Sequence, residues 1–287
     1  MGVGGGAATS VGRCDSYFDS QVKAVDSHSL SRNHWQSSNS TLCTVTVSSR
    51  GRGNYSAISR ALAEANPGTR ILVSPGVYRE TLIIDKPVEI IGDGNLKDIV
   101  VSSDDRPCLM MDADYAIVRG ITFRGTGHHG AEEIPAVVAG CGQLIMEECD
   151  ITCSSSHCIL IGSKGAGPVV RRCSIHNSSA SGVRVCKNAL GTLEKCDIWA
   201  NARSGVDVSV GGNPTIKDCK IHNNNAHGVS VDEDGFGTLD SCDIWTNSLS
   251  GVRISRGSNP TIKDCKIHEN KGAGVHVYGG GSGTFTL

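Results

Sequence analysis

The sequence has few aromatic residues, no long apolar run and no excess of charge of one sign. Phe, Trp and Tyr make up 4% of the 287 residues, and there are 8 prolines against 36 glycines. A membrane-spanning helix needs about 20 consecutive apolar residues, so none is predicted. The net charge of −2 comes from mixed signs without a basic run, which argues against a nucleic-acid partner. This composition favours many short strands joined by tight corners.

The N-terminal segment lacks the apolar core of a secretory signal peptide. We therefore expect a cytoplasmic or nuclear protein that does not associate with membranes. Residues 1–42 are rich in Gly and Ser and show no periodic pattern, so they are predicted to be disordered. The ordered domain is predicted to span residues 43–287.

From residue 144 onward the sequence repeats with a nearly constant period. A marker cysteine recurs at steps of 24, 23, 23, 23 and 23 residues, at Cys149, Cys173, Cys196, Cys219, Cys242 and Cys265. A fixed period of this length indicates a solenoid of stacked coils. Short β-type segments such as TIKDCKI and GVSV alternate with Asn/Gly corners, which excludes the paired helices of a TPR or HEAT unit. The predicted fold is all-β, a right-handed parallel β-helix with 23-residue coils.

Matched positions of successive coils predict columns of like residues. Apolar residues recur around each cysteine, as in Leu193, Cys196 and Ile198. The cysteines are then small buried side chains, reduced and without metal, because neighbours one coil apart do not converge on one point as zinc ligands do.

Three further columns support the same stacking. Asparagine, which can form an amide ladder between coils, recurs at Asn201, Asn224, Asn247 and Asn270. Glycine, which suits a crowded corner, recurs at Gly182, Gly205, Gly228, Gly251 and Gly274. Charges alternate from coil to coil in two series, Glu194, Lys217, Asp240, Lys263 and Asp197, Lys220, Asp243, Lys266. Alternation places opposite charges side by side, which favours one register.

The front of the domain is less regular than the rest. Residues 43–70 are predicted to form an N-terminal cap, residues 71–143 irregular coils and residues 144–287 regular coils. The strand-like segments of the irregular coils include ILVSPG, VEIIGDG and AIVRGITF.

The cap is predicted to contain a short amphipathic helix from Ser56 to Ala65. Ile58 and Leu62 lie on one face of it, and Asn54 is the expected N-cap residue. Such a helix would cover the open edge of the first coil.

These segments resemble two groups of known β-helices. The opening, with GNYSAISRAL, ILVSPGVYRE and VEIIGDG, resembles pectin-lyase-like β-helices over residues 43–287. The coils NPTIKDCKIHNNNAHGVSV and GTLDSCDIWTNSLSGVRI are similar to the C-terminal β-helix of F-box ubiquitin-ligase receptors over residues 144–287. The second resemblance implies substrate recognition in a ubiquitin-ligase-like context. The sequence shows neither an F-box-like helical segment upstream nor a Cys/His-rich zinc finger downstream, so recruitment to a ligase does not follow from this chain itself.

No catalytic set is predicted. Resemblance to pectic enzymes implies sets of aspartates and an arginine, and GHHG at residues 127–130 is only an echo of one polygalacturonase motif. Glycoside hydrolysis needs two carboxylates facing one cleft. The densest acidic segment, Asp232, Glu233 and Asp234, is predicted to be a solvated turn, with a calcium or acid/base site as the alternative. We expect no cofactor, no metal and no activity on pectic substrates.

Two other features are candidates for binding. One long interruption of the coils holds His128, His129, Glu132 and Glu133. It is interpreted as a polar surface loop, with a metal or proton-transfer site as the alternative. A column of rings follows the inward isoleucines, and strand alternation turns it outward: His176, Trp199, His222, Trp245 and His268. Such rings could contact a sugar or a partner protein, or they could only shield the core.

Three functions remain open at this point. The first is a non-catalytic recognition or scaffold module that binds a protein partner along the solenoid. The second is a carbohydrate-binding or polysaccharide-modifying protein, and the third is a structural spacer in a larger assembly. The last residues, TFTL, begin another coil without a capping helix. We therefore expect end-on self-association through this coil or a natural chain that continues past Leu287.

Overall fold

The computed structural model of the protein describes residues 43–127 and 133–286. In these residues short strands form three parallel sheets, A, B and C, and the chain passes from A to B to C in each coil. Equivalent strands of neighbouring coils pair with each other, at a spacing of ~4.8 Å. The predicted right-handed parallel β-helix is confirmed.

The strands of each sheet come from successive coils. Sheet A contains β1 (Thr44–Val47), β2 (Thr69–Val73), β5 (Val88–Gly92), β8 (Tyr115–Arg119), β11 (Gln143–Glu147), β14 (Val169–Arg171), β17 (Thr192–Glu194), β20 (Thr215–Lys217), β23 (Thr238–Asp240), β26 (Thr261–Lys263) and β29 (Thr284–Thr286). Sheet B contains β3 (Gly76–Arg79), β6 (Ile99–Ser103), β9 (Thr122–Gly125), β12 (Asp150–Cys153), β15 (Ser174–His176), β18 (Asp197–Trp199), β21 (Lys220–His222), β24 (Asp243–Trp245) and β27 (Lys266–His268). Sheet C contains β4 (Leu82–Ile84), β7 (Leu109–Met111), β10 (Val137–Ala139), β13 (Ile159–Ile161), β16 (Val183–Val185), β19 (Val206–Val208), β22 (Val229–Val231), β25 (Val252–Ile254) and β28 (Val275–Val277).

A short helix, α1 (Ile58–Glu64), lies between β1 and β2. It buries Ile58, Ala61 and Leu62 and packs against β1, β2 and β4, which are the N-terminal strands of sheets A and C. A 3-10 turn (Leu96–Asp98) precedes β6. No helix within the described ranges is long and apolar enough to cross a membrane.

The N-cap predicted for this helix is wrong. Ala57 occupies that position without a side-chain bond, and Asn54 Oδ1 instead accepts a hydrogen bond of 2.8 Å from the N–H of Thr46. The carboxylate of Glu80, which directly follows β3, accepts from the N–H groups of Ile58 at 2.9 Å and Ser59 at 2.8 Å. A negative charge at the helix N-terminus is stabilised by the unpaired N–H groups and the helix dipole. Glu80, which is distant in sequence, therefore takes the place of an N-cap side chain.

Strand alternation builds one continuous core along the solenoid. Each short strand of sheet B in the regular coils turns its middle residue inward, as Ile198, Ile221 and Ile244 show, and sheet C turns its two outer residues inward, as Val206 and Val208 show. All five are at most 1% exposed. Each such side chain contributes about 1.5–3 kcal/mol of hydrophobic free energy, and no coil can bury them without its neighbours.

The marker cysteines form an inward column at the corner between sheets A and B. Cys149, Cys173, Cys196, Cys219 and Cys242 are each 1% exposed, and Cys265 is half-buried. Their thiols donate to backbone carbonyls, as Cys219 does to Lys217 at 3.2 Å and to Leu193 at 3.4 Å. The neighbouring sulfurs and burial raise the pKa of the Cys173 thiol. The cysteines of the column are free and pack as small side chains.

The asparagine column forms a ladder of buried amides at the corner between sheets B and C. Asn201, Asn224 and Asn247 are fully buried. Asn224 Oδ1 accepts from the backbone N–H of Asn201 at 3.2 Å and from its Nδ2 at 2.9 Å. Asn224 Nδ2 in turn donates to Asn247 Oδ1 at 3.0 Å. Each amide thus bonds with both neighbouring coils.

The glycine column marks a place where successive coils nearly touch. A Cβ atom on Gly228 would lie 2.4 Å from Ile244 Cγ2 and 2.6 Å from the carbonyl oxygen of Gly251. The same contacts recur one coil earlier at Gly205. Close approach rather than an unusual backbone angle therefore requires glycine here.

Candidate functional site

The outer face of sheet B carries two straight columns of side chains. Because the middle residue of each strand points inward, the residues on either side of it point outward. The first column reads Val77, Val100, Thr122, Asp150, Ser174, Asp197, Lys220, Asp243, Lys266. The second column reads Arg79, Ser102, Arg124, Thr152, His176, Trp199, His222, Trp245, His268. All five predicted ring residues thus lie in the second column.

The rings of the second column form a continuous stack, here called the ring ladder (His176, Trp199, His222, Trp245, His268). His176 and Trp199 have ring centroids 4.3 Å apart and planes inclined by 6°, and His222 and Trp245 are also 4.3 Å apart. The alternate steps, Trp199 to His222 and Trp245 to His268, measure 6.5 Å and 6.2 Å. Ring faces within the ladder therefore point at each other, and the ring edges point at solvent.

Carboxylates of the first column fix the imidazoles of the ladder. His222 Nε2 lies 2.9 Å from Asp197 Oδ1, one coil away, and His176 Nε2 lies 3.1 Å from Asp150 Oδ2. On the other side of the ring, Asn223 Nδ2 lies 3.0 Å from His222 Nδ1. Since an amide Nδ2 can only donate, Nδ1 is the acceptor and Nε2 carries the proton given to Asp197. Both ring nitrogens of His222 thus take part in hydrogen bonds within the chain.

At the other end of the second column, two arginines line up with two hydroxyl residues. Arg79 pairs with Ser102 across strands, Ser102 with Arg124, and Arg124 with Thr152. Both guanidinium groups are exposed. Within residues 43–127 and 133–286 neither makes an ion pair or a hydrogen bond. This set, here called the arginine row (Arg79, Ser102, Arg124, Thr152), was not predicted from the sequence.

A polar cavity of about 370 Å³ opens beside the arginine row. It is lined by Arg79, Glu80, Thr81, Ser102, Ser103, Asp104 and Asp105. The Glu80 carboxylate accepts hydrogen bonds from the first N–H groups of α1, and Asp104 accepts a hydrogen bond from the hydroxyl of Thr126. Among the lining groups, the Arg79 guanidinium and the Ser102 hydroxyl can donate hydrogen bonds, and the Asp104 and Asp105 carboxylates can accept them.

The acidic turn proposed from the sequence is paired with arginines of the next coil. Asp232 lies 3.3 Å from Arg253 Nη2 and 3.7 Å from Arg256 Nε, and Glu233 lies 3.0 Å from Arg256 Nη1. Asp234 is exposed at the same corner. Carboxylates that hold two coils together in this way have few oxygens left for calcium or for proton transfer.

Most of the interrupting loop, residues 128–132, lies outside the described residues. Of its four candidate residues, His128, His129 and Glu132 lie outside the described residues. In the described part of the chain, no group of three or more His, Cys, Asp or Glu side chains is placed to hold a metal ion.

Comparisons with known proteins agree with this architecture. A family model described as "Right handed beta helix region" matches residues 107–236 and 204–287. The A-module of the mannuronan C-5 epimerase AlgE4 of Azotobacter vinelandii superposes with a TM-score of 0.64 at 16% identity, over 79% of this chain and 70% of that one. Pectate lyase Pel9A gives 0.62 at 14% identity, over 84% and 79%. The pectin methylesterase PemA of Erwinia chrysanthemi gives 0.58 at 11% identity, over 86% and 93%. At these identities the likeness is one of fold.

Proposed function

The chain belongs to the family of right-handed β-helix regions, and from that premise we propose that it is a non-catalytic module that binds an acidic polysaccharide on sheet B. The observation that carries the proposal is the arginine row. Two guanidinium groups that have no ion pair among the described residues stand two coils apart, ~10 Å along the axis. They lie in line with two hydroxyl groups and beside the polar cavity.

The chemistry of the row suits a chain of sugar acids. Guanidinium groups bind carboxylates through paired, charge-assisted hydrogen bonds, and Ser102 and Thr152 can bond to sugar hydroxyls. Asp104 and Asp105 can accept from further hydroxyls at the edge of the cavity. A straight row on a rigid sheet would hold several sugars of an extended polymer at once. Structural neighbours named as epimerase, pectate lyase and pectin methylesterase support this ligand class by analogy.

The proposal is tested with polygalacturonate and its fully methyl-esterified form, which has the same backbone without the charges. We expect the protein to bind the first and not the second. Changing Arg79→Gln together with Arg124→Gln should weaken binding about tenfold or more, since each charge-assisted hydrogen bond contributes ~1.5–3 kcal/mol. Isothermal titration calorimetry measures the affinity.

Arg203→Gln supplies the matched control, because Arg203 is an exposed arginine at the corner between sheets B and C, away from the row. It should leave the affinity unchanged. Equal losses in the control and in the row variant would mean general charge attraction and would refute the assignment. Release of unsaturated sugars or methanol from pectin by the wild-type protein would show that it is an enzyme.

Recognition of another protein is a second candidate, and the geometry of the ring ladder favours it. Sugars bind aromatic side chains through the ring faces, which the ladder covers with neighbouring rings. The half-buried edges of Trp199 and Trp245 remain, as in many protein interfaces. The double substitution Trp199→Ala, Trp245→Ala should then weaken the binding of a partner protein by about 2 kcal/mol or more, while polygalacturonate binding persists. Unchanged capture with a lower melting temperature would assign the ladder to stability alone.

A further inference from the structure

The C-terminal half of the first column on sheet B contains lysines for which the described part of the chain supplies no partner. In this half the residues alternate: Asp197, Lys220, Asp243, Lys266. The carboxylates bond to ladder histidines, Asp197 to His222 and Asp243 to His268. Lys220 and Lys266 are exposed, and among the described residues neither ammonium group takes part in an ion pair or hydrogen bond.

This alternating series is complementary to itself when it is reversed. Consider a two-fold axis parallel to the strands and midway between β21 and β24. It reverses the direction of the solenoid axis, so that each column of one copy lies against the same column of the second copy. Lys220 then faces the Asp243 position of a second copy, and Lys266 faces the Asp197 position. All four contacts join opposite charges. If the axis passed through one coil instead, Lys220 would face Lys220, so charge disfavours an axis that lies on a coil. Among the axes midway between coils, the one between β21 and β24 pairs all four residues of the alternating series with one another.

We propose that a second copy of this chain docks antiparallel on this surface, so that the C-terminal halves of two B sheets meet face to face. The ring ladder has the same two-coil period as the charges. With the axis between β21 and β24, His222 faces the Trp245 position and Trp199 faces the His268 position. Ring edges thus pack between the copies and keep water from the adjacent charge pairs, which strengthens them.

The geometry also sets the strength and the extent of the contact. Four coils cover ~14 Å of axis, which is short for a stable interface, so the dimer is weak and forms at a concentration on the order of 0.1 mM. The arginine row lies beyond this overlap in each copy. The inference is therefore independent of polysaccharide binding, because the dimer leaves the N-terminal half of sheet B uncovered.

Sedimentation equilibrium of the 287-residue chain tests the proposal. The wild-type protein should dimerise reversibly, with an association constant that falls as salt is added. Lys220→Glu with Lys266→Glu makes the column uniformly acidic and should weaken association at least tenfold. Lys220→Gln with Lys266→Gln gives a milder loss without new repulsion between coils. Lys217→Glu with Lys263→Glu makes the same charge change on sheet A and should leave the dimer intact.

A mixing experiment makes the test specific to these pairs. Asp197→Lys with Asp243→Lys makes the column uniformly basic, so this variant should be monomeric alone. Mixed with the Lys220→Glu, Lys266→Glu variant, it should form a heterodimer. A wild-type chain that stays monomeric at about ten times the concentration predicted above overturns the proposal. A dimer that survives the sheet B variants, or dissociates only in the sheet A control, overturns it as well.

Discussion

Asn224→Ala should lower the free energy of unfolding by about 3 kcal/mol or more. The Asn224 side chain is fully buried and accepts two hydrogen bonds from Asn201. Without it, the N–H of Asn201 has no acceptor, and each unpaired buried polar group costs about 1–3 kcal/mol. The cavity that remains adds to this loss. Urea denaturation followed by circular dichroism measures the change.

The neighbouring Asn225 provides a control of the same residue type. It is exposed, and it uses its backbone N–H, which donates to the carbonyl oxygen of Asn201 at 2.9 Å. Asn225→Ala keeps that bond and should change stability by no more than about 0.5 kcal/mol. Similar losses in the two variants would mean that the corner depends on backbone packing and that the amide ladder adds nothing.

The protein should lose stability in acid because of His157, whose ring is buried at the corner between sheets B and C. Its Nδ1 lies 3.2 Å from both the backbone nitrogen and the carbonyl oxygen of Ser181. Burial, and after it the charge of Arg184, lowers the pKa of His157 to about 3. Burial and Arg253 likewise lower the pKa of the half-buried His227 to about 4.

The direction of the pH effect follows from these lowered values. An unfolded histidine binds a proton below a pH of about 6.5, whereas folded His157 stays neutral until pH falls to about 3. Between these values the unfolded state binds more protons, so stability is complete above pH 6.5 and decreases as pH falls toward 3. At pH 4.5 the expected loss from His157 is about 2.5 kcal/mol relative to pH 7.5.

His157→Ser should remove this part of the pH dependence. Serine stands at the equivalent positions of the next two coils, Ser181 and Ser204, so the corner accommodates it. Urea denaturation at pH 7.5 and pH 4.5 gives the difference for the wild-type protein and the variant. The exposed His276 serves as the control, and His276→Ser should keep the wild-type difference. If the His157→Ser variant loses as much stability at pH 4.5 as the wild-type protein does, other titratable groups cause the loss.

The regular coils could be predicted from the sequence because one period repeats every feature. A step of 23 residues brings Cys196 to Cys219 and Asn201 to Asn224, and the paired strands have that register. Strand alternation also placed the ring ladder on the outside. The bonds from Asp197 to His222 and from Asp243 to His268 run between neighbouring coils, and they depend on side-chain direction, which a period does not give.

The arginine row could not be found in this way, because its residues do not share a period. Arg124 and Thr152 pair across strands although the interrupting loop separates them in sequence. Their alignment depends on the sheet register, which only the folded chain shows. The N-cap was missed for a related reason. Asn54 is the nearby polar residue, but the carboxylate that binds the helix N-terminus belongs to Glu80, which follows β3 and is 22 residues from Ile58 in sequence.

Alternation with a period of two coils limits how the length of this solenoid can change. Loss of residues 215–237, one coil, would set Glu194 beside Asp240 and Trp199 beside Trp245. Loss of residues 215–260, two coils, would set Glu194 beside Lys263 and Trp199 beside His268, so charges and rings would still alternate. Insertions and deletions that preserve this alternation must therefore add or remove two coils at a time. The structural repeat is one coil of 23 residues, but the repeat that can be gained or lost is two coils.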